Sequence, residues 1–161
     1  MQKISTCLWF DDQAEDAANF YTSIFKNSGI QDISRYGDTG PGEPGRVMTV
    51  QFQLEGREFT ALNGGPAFTF NESVSMVVDC SSQDEVDAYW DALTADGGQE
   101  SQCGWLKDKF GLSWQIIPNA LPELLNGPDP EGARRAMEAM LQMRKIDIAT
   151  LQKAYDGDWP A

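Results

Sequence analysis

Few residues in this chain could do chemistry, and their spacing narrows the choice further. Gln115 stands out. It lies inside Cys103–Pro118, CGWLKDKFGLSWQIIP, which reads as strand, tight turn, strand. Leu106 leads into Asp108-Lys109-Phe110-Gly111, where a glycine can take the positive φ that a turn needs. The alternation after the turn puts Trp114 and Ile116 on one face and Ser113, Gln115 and Ile117 on the other. An amide in the middle of such a strand is either satisfied in the core or turned toward a cleft. Cys7 and Cys103 are the only nucleophile candidates. Activating either thiol would need Lys107, Arg57 or a helix N-terminus. The competing reading of both is a small buried hydrophobe. The charged turn residues Lys107, Asp108 and Lys109 are expected to be solvated.

What is missing matters as much. The chain has no histidine. That removes Ser-His-Asp and Cys-His catalysis, imidazole metal ligands and the commonest general acid/base near neutral pH. Three widely spaced cysteines, Cys7, Cys80 and Cys103, form neither a disulfide framework nor a zinc motif. The glycine-rich segment 37–45, GDTGPGEPG, carries two prolines and two acids and lacks a following Lys-Ser/Thr, so it is not a phosphate cradle. A net charge of −13, from 25 acids against 12 bases, repels phosphate backbones and anionic membrane surfaces. No run approaches the roughly 18 apolar residues of a membrane span. The N-terminal MQKISTCLWFDD lacks the pattern of a signal peptide. The expected location is cytoplasmic, with no nucleic-acid and no membrane partner.

The elements that must position these residues repeat. Ile4–Phe10 reads as a strand. Asp12 and Glu15 resemble a capping box before a helix whose apolar positions are Ala14, Ala17, Phe20, Tyr21, Ile24 and Phe25. Strands follow over Gln31–Tyr36, Val47–Leu54 and Arg57–Leu62, the last two joined at Glu55-Gly56. The series then restarts with a strand over Ser73–Val78. A second capping box, Ser82 with Glu85, opens a helix carrying Val86, Tyr89, Trp90 and Leu93, and the Cys103–Pro118 hairpin closes the unit. Set over SVSMVVDC (73–80), STCLWFDD (5–12) places Ser5 on Ser73, Leu8 on Met76 and Phe10 on Val78. Each unit therefore reads strand, helix, strand, strand, strand. The expected fold is α+β: paired βαβββ modules, one over 1–66 and one over 72–118, with a helical tail over 119–161. In that tail Pro130 marks a helix start and Asp147 caps a last helix. The apolar stripe Ala133, Ala136, Met137, Met140 and Leu141 is expected to dock on the sheet or on a second subunit.

LWFDDQAEDAANFY, LNGGPAFTFNESVSMVVDC, EVDAYWDAL, CGWLKDKFGLSWQIIP and DPEGARRAMEAMLQMRKIDIATLQKAY together resemble the PhnB-like branch of the vicinal-oxygen-chelate superfamily. That superfamily includes glyoxalase I, bleomycin-resistance proteins and extradiol dioxygenases. The branch carries the name 3-demethylubiquinone-9 3-methyltransferase-like domain. The likeness extends over nearly the whole chain, tail included, and implies paired βαβββ modules around a cleft and a homodimer. Metal-dependent members typically place two His and two Glu on the sheet. Carried over, those positions fall on Ser5 (Thr6 if the register slips), Ser73, Gln115, and Ala61 or Asn63. None is an imidazole, carboxylate or thiolate, so no metal and no other cofactor is expected. Gly64-Gly65-Pro66 lies between strands, the wrong context for an S-adenosylmethionine fold. The cleft candidates are Ser5, Cys7, Trp9, Asn63, Ser73, Trp105 and Gln115, a set of aromatic walls, amides and hydroxyls suited to a small molecule. The function read from the sequence is small-molecule binding without a metal. The alternatives are an enzyme, either a methyltransferase or a lyase/dioxygenase with an atypical metal site, and a mainly structural role.

Overall fold

A computed structural model describes residues 2–160; residues 1 and 161 lie outside it. The chain divides into two compact units, residues 1–70 and 71–161. No described helix is long and apolar enough to cross a membrane.

The first unit is β1 (Thr6–Phe10), α1 (Ala14–Ile24), β2 (Ser28–Arg35), β3 (Val47–Leu54) and β4 (Arg57–Asn63). Its four-stranded mixed sheet has the order β1-β4-β3-β2, with β1 parallel to β4. Alternation decides which side packs. Leu8, Phe10, Val50, Phe52, Phe59 and Ala61 are buried beneath Ala14, Ala17, Ala18 and Tyr21 of α1, whose small residues let helix and sheet approach closely. Glu55 (φ 49°) and Gly56 (φ 83°) form the two-residue hairpin turn that suits the twist of β3 and β4. The helix does not start as expected. Asp12 makes no cap; the N-cap is Gln13, without a side-chain bond. Asn63, distant in sequence, accepts the Ala14 N–H at 2.8 Å instead.

The second unit repeats the plan: β5 (Ser75–Cys80), α2 (Gln83–Thr94), β6 (Gln99–Glu100), β7 (Trp105–Lys107) and β8 (Ser113–Pro118), in the order β5-β8-β7-β6 with β5 parallel to β8. Val86, Trp90 and Leu93 of α2 are buried, as are Leu106, Trp114 and Ile116 of the sheet. Here Ser82 caps the helix as expected, while the Glu85 side chain reaches back one residue past the cap. Ser82 accepts the Glu85 N–H at 3.1 Å, and Glu85 accepts the Ser81 N–H at 3.0 Å. Strand β5 begins at Ser75, two residues later than the alternation suggests, because Ser73 turns back on Asn71.

The tail forms α3 (Ala120–Leu125), α4 (Pro130–Met140) and α5 (Ile148–Asp156). Asp129 and Asp147 cap the last two. Leu121, Ile146 and Leu151 centre an apolar cluster with Ile117, Leu124, Leu125, Met140 and Met143. The tail docks on its own second module. Gln83 donates to the Ile146 carbonyl at 3.0 Å and accepts from the Ile148 N–H at 2.8 Å. The Cys103 and Gly104 N–H groups donate to the Met143 and Arg144 carbonyls at 2.8 and 2.7 Å.

Candidate functional site

Each sheet has one face under its helix and one face free of it, and residues opposite each other on neighbouring strands share a face. In the second module Val77 pairs with Gln115 and Ser75 with Ser113, while Trp105 and Lys107 pair with Gln115 and Ser113. The helix-free face therefore carries Ser75, Val77, Ser113, Gln115, Trp105 and Lys107. Gln115 is half-buried and its Nε2 donates to Ser75 Oγ at 2.9 Å. Lys107 forms an ion pair with Glu72, just before β5. The hydrogen bond from Lys107 holds the Glu72 carboxyl below its ordinary value. A cavity of about 280 Å³ opens beside this group, lined by Glu72, Gln99, Glu100, Trp105, Lys107 and Ser113 among others.

The turn that aims β8 is built on a buried carboxylate. Asp108 is not solvated, as its place in a charged turn suggests, but buried. Its Oδ1 accepts the Phe110 and Leu112 N–H groups at 2.8 and 3.1 Å, and its Oδ2 accepts the Trp114 indole N–H at 2.9 Å. Gly111, at φ 89°, completes the reversal.

In the first module Cys7 and Trp9 lie on one face of β1 and Ser5 stands just before the strand; Ser5 and Cys7 are exposed. Trp9 is anchored: its indole N–H donates to the Gly65 carbonyl at 2.9 Å and its ring meets Phe68 edge-on at 5.0 Å. Gly64 is required beneath it, since a Cβ there would stand 2.4 Å from the ring. Desolvation raises the Cys7 thiol above its ordinary value. Burial, then Glu85 and Asp79, push Cys80 up to about 12. Neither arrangement favours a thiolate.

Asn63 is not on the face of Cys7 and Trp9. It pairs with Phe10, and its Nδ2 donates to the Val47 carbonyl at 3.1 Å while its Oδ1 caps α1. Ala61 shares that helix-covered side. Pairing sets the register: Trp9 faces Leu62 as Val77 faces Gln115, so the first-module equivalent of Gln115 is Leu62. Ser73 lies outside β5, its hydroxyl on Asn71 Oδ1 at 2.6 Å. Alternation could have found Ser75, which shares a face with Ser73 at period two. Ser113 lies on the face that alternation assigns it with Gln115. Asn63 does line a second cavity of about 330 Å³ with Asp11, Asp12, Tyr36, Arg46 and the 41–43 loop. Arg46 is its one cationic wall residue and stands 4.0 Å from Asp12 and 3.8 Å from Glu43.

Hydroxyls, one amide already bonded to Ser75, and alkyl groups at the remaining positions do not fit a divalent ion. Among the described residues no three His, Cys, Asp or Glu side chains converge.

Two four-stranded sheets in the same strand order, each with one helix, define a chain built of duplicated βαβββ modules. The family described as 3-demethylubiquinone-9 3-methyltransferase matches residues 2–117, and the chain belongs to it. The PhnB protein from Bacillus cereus is 40% identical, with 73% of this chain and 99% of that one covered, at a TM-score of 0.66. A Pseudomonas aeruginosa protein, PA1353, is 17% identical, covering 73% and 98%, at 0.60. The fosfomycin resistance protein FosX from Listeria monocytogenes, solved with Mn(II) and sulfate, is 15% identical, covering 73% and 91%, at 0.51. The last two speak for the fold alone. The family match stops before the helical tail, so the likeness is shorter than the motifs suggest. No curated protein matched.

Proposed function

We propose that this protein binds a small molecule on the helix-free faces of its sheets, without a metal at the family's ligand positions. The observation that carries the reading is the 280 Å³ cavity walled by Trp105, Lys107 and Ser113, on the sheet face that also carries the Gln115–Ser75 pair. An amide held by a hydroxyl, next to an aromatic wall and a partly open space, suits polar recognition better than core packing. Trp105 is the further wall residue proposed in the second module; Ser5, Cys7 and Trp9 are proposed for the first module by itself. Asn63 and Ser73, whose polar groups are engaged locally, are weaker members of the set. A homodimer in the cytoplasm completes the reading. Val77, 57% exposed on a strand with a neighbour on only one side of its own sheet, supports coverage by a second copy.

The test is to purify the protein without chelator, measure its metal content and record its native mass. The expected result is substoichiometric zinc, nickel, manganese and iron, together with a co-purified small molecule. A stoichiometric transition metal overturns the metal-free reading. Gln115→Glu alone is expected to bind zinc no better than the parent, since Ser5 and Ser73 still supply no imidazole; tight zinc binding by that variant shows the register to be wrong. The family name favours a second reading, a methyltransferase. Tight S-adenosylmethionine binding in calorimetry supports it over simple binding.

A further inference from the structure

Ser113 Oγ is the one buried side-chain polar atom among the described residues that lacks a hydrogen-bond partner. The residue is 1% exposed and lines the 280 Å³ cavity. A hydroxyl shut away from water and left unpaired is destabilising, so its retention needs something that satisfies it. Its cross-strand neighbour Lys107 is already paired with Glu72. Its other neighbour, Ser75, serves Gln115. Ser113 also borders the cavity, where a bound group is the remaining candidate partner.

The walls describe what fits. Both acids are matched: Glu72 by Lys107, and Glu100 by the Trp90 indole N–H at 2.8 Å and Arg144 at 3.6 Å. With Glu72, Glu100 and Lys107 already paired, a charged ligand finds no unmatched partner among them. Trp105 is half-buried, and its indole has neither a hydrogen bond nor a ring contact among the described residues. It offers a flat apolar surface and a spare N–H donor. The volume suits a single-ring molecule.

We propose that Ser113 and Trp105 form a recognition pair for a small, neutral, planar molecule bearing a hydrogen-bonding oxygen, such as an aromatic amide or a phenol. The inference rests on the reading of this face as a ligand surface and names the ligand class for it. Trp105 stacks on the ring. The Ser113 hydroxyl bonds the oxygen.

Three isosteres separate the possibilities: benzamide (neutral), benzoate (anionic) and benzamidine (cationic), titrated into the isotopically labelled full chain and followed by NMR. Benzamide is expected to shift the Ser113 amide and the Trp105 indole N–H, and to bind about tenfold or more tightly than either charged isostere. Ser113→Ala is expected to weaken benzamide by about fivefold or more while melting at the same temperature as the parent or higher. Preference for a charged isostere overturns the ligand class. Benzamide shifts confined to residues away from Ser113 and Trp105 overturn the site. A lower melting temperature for Ser113→Ala overturns the inference whatever the binding, because the hydroxyl then has an internal role. If none of the three binds, this inference fails. A molecule co-purified in the native mass spectrum would still leave the broader binding function standing.

Discussion

Asn63 shows how much one side chain can organise. Its amide closes two backbone gaps, capping α1 at Ala14 and holding the Val47 carbonyl at the start of β3. Asn63→Ala removes both bonds and is expected to cost about 1–3 kcal/mol, read as a lower urea midpoint at unchanged slope. Asn63→Asp keeps the acceptor for Ala14 and is expected to lose less. Spacing rules point to Asp12 as the cap because they see only local sequence; the acceptor that wins comes from 49 residues away. Cys7 carries a second residue-level prediction. Partial desolvation holds its thiol above the ordinary value, so alkylation of Cys7 should titrate at higher pH than a free cysteine peptide and be slow at neutral pH. A midpoint near 7 would instead make it an activated nucleophile.

Among the elements, the β7–β8 hairpin depends most on one group. Asp108 gathers three donors, two from the turn backbone and one from Trp114. Asp108→Ala leaves all three unpaired in a buried setting and is expected to cost about 3 kcal/mol or more. Asp108→Asn keeps an acceptor for the turn but sets an amide N–H against the indole N–H, and should also destabilise. Thermal melts of both variants check this. The strands and helices themselves were legible, because alternation and helical spacing report burial directly: Val50, Phe52 and Leu54 are buried where period two puts them. The charged string Lys107-Asp108-Lys109 conceals the role of its middle residue. Composition describes an average environment, and Asp108 is satisfied by a particular geometry. The face of Ser113 was legible from alternation, but its unpaired hydroxyl depends on exact geometry and not on residue type.

At the scale of the molecule, the repeat was visible in the paired segments 5–12 and 73–80, and both sheets have the same strand order. The tail was visible as helices but not as an integral part of one module. Its carbonyls at Met143 and Arg144 accept the Cys103 and Gly104 N–H groups, so a chain ending at Asn119 should lose cooperative unfolding of the second module. Circular dichroism melts would show this as a broadened or missing transition. One tether should respond to pH. Gln83 and Lys145 hold Asp87 below its ordinary 3.8, and Asp87 holds Lys145 above its ordinary 10.5, across a 2.9 Å ion pair. The lowered acid stabilises the fold above pH 3.8, and that contribution is lost as pH falls through its folded value. The raised base stabilises below pH 10.5, and its contribution is lost as pH rises further. Stability attributable to this pair is therefore expected to plateau between those limits, and Lys145→Met should flatten the alkaline decline.

The placement of the indoles gives the chain a built-in reporter. Trp9 is the sole tryptophan before residue 70, whereas Trp90, Trp105, Trp114 and Trp159 lie in the second unit. Trp90 and Trp114 each donate to a carboxylate. A chain retaining Trp9 alone would report the melting of the first module by intrinsic fluorescence. Trp9→Phe would silence that module and leave the other visible. Comparing the two emission curves under denaturant would show whether the duplicated halves unfold as one cooperative body or in sequence.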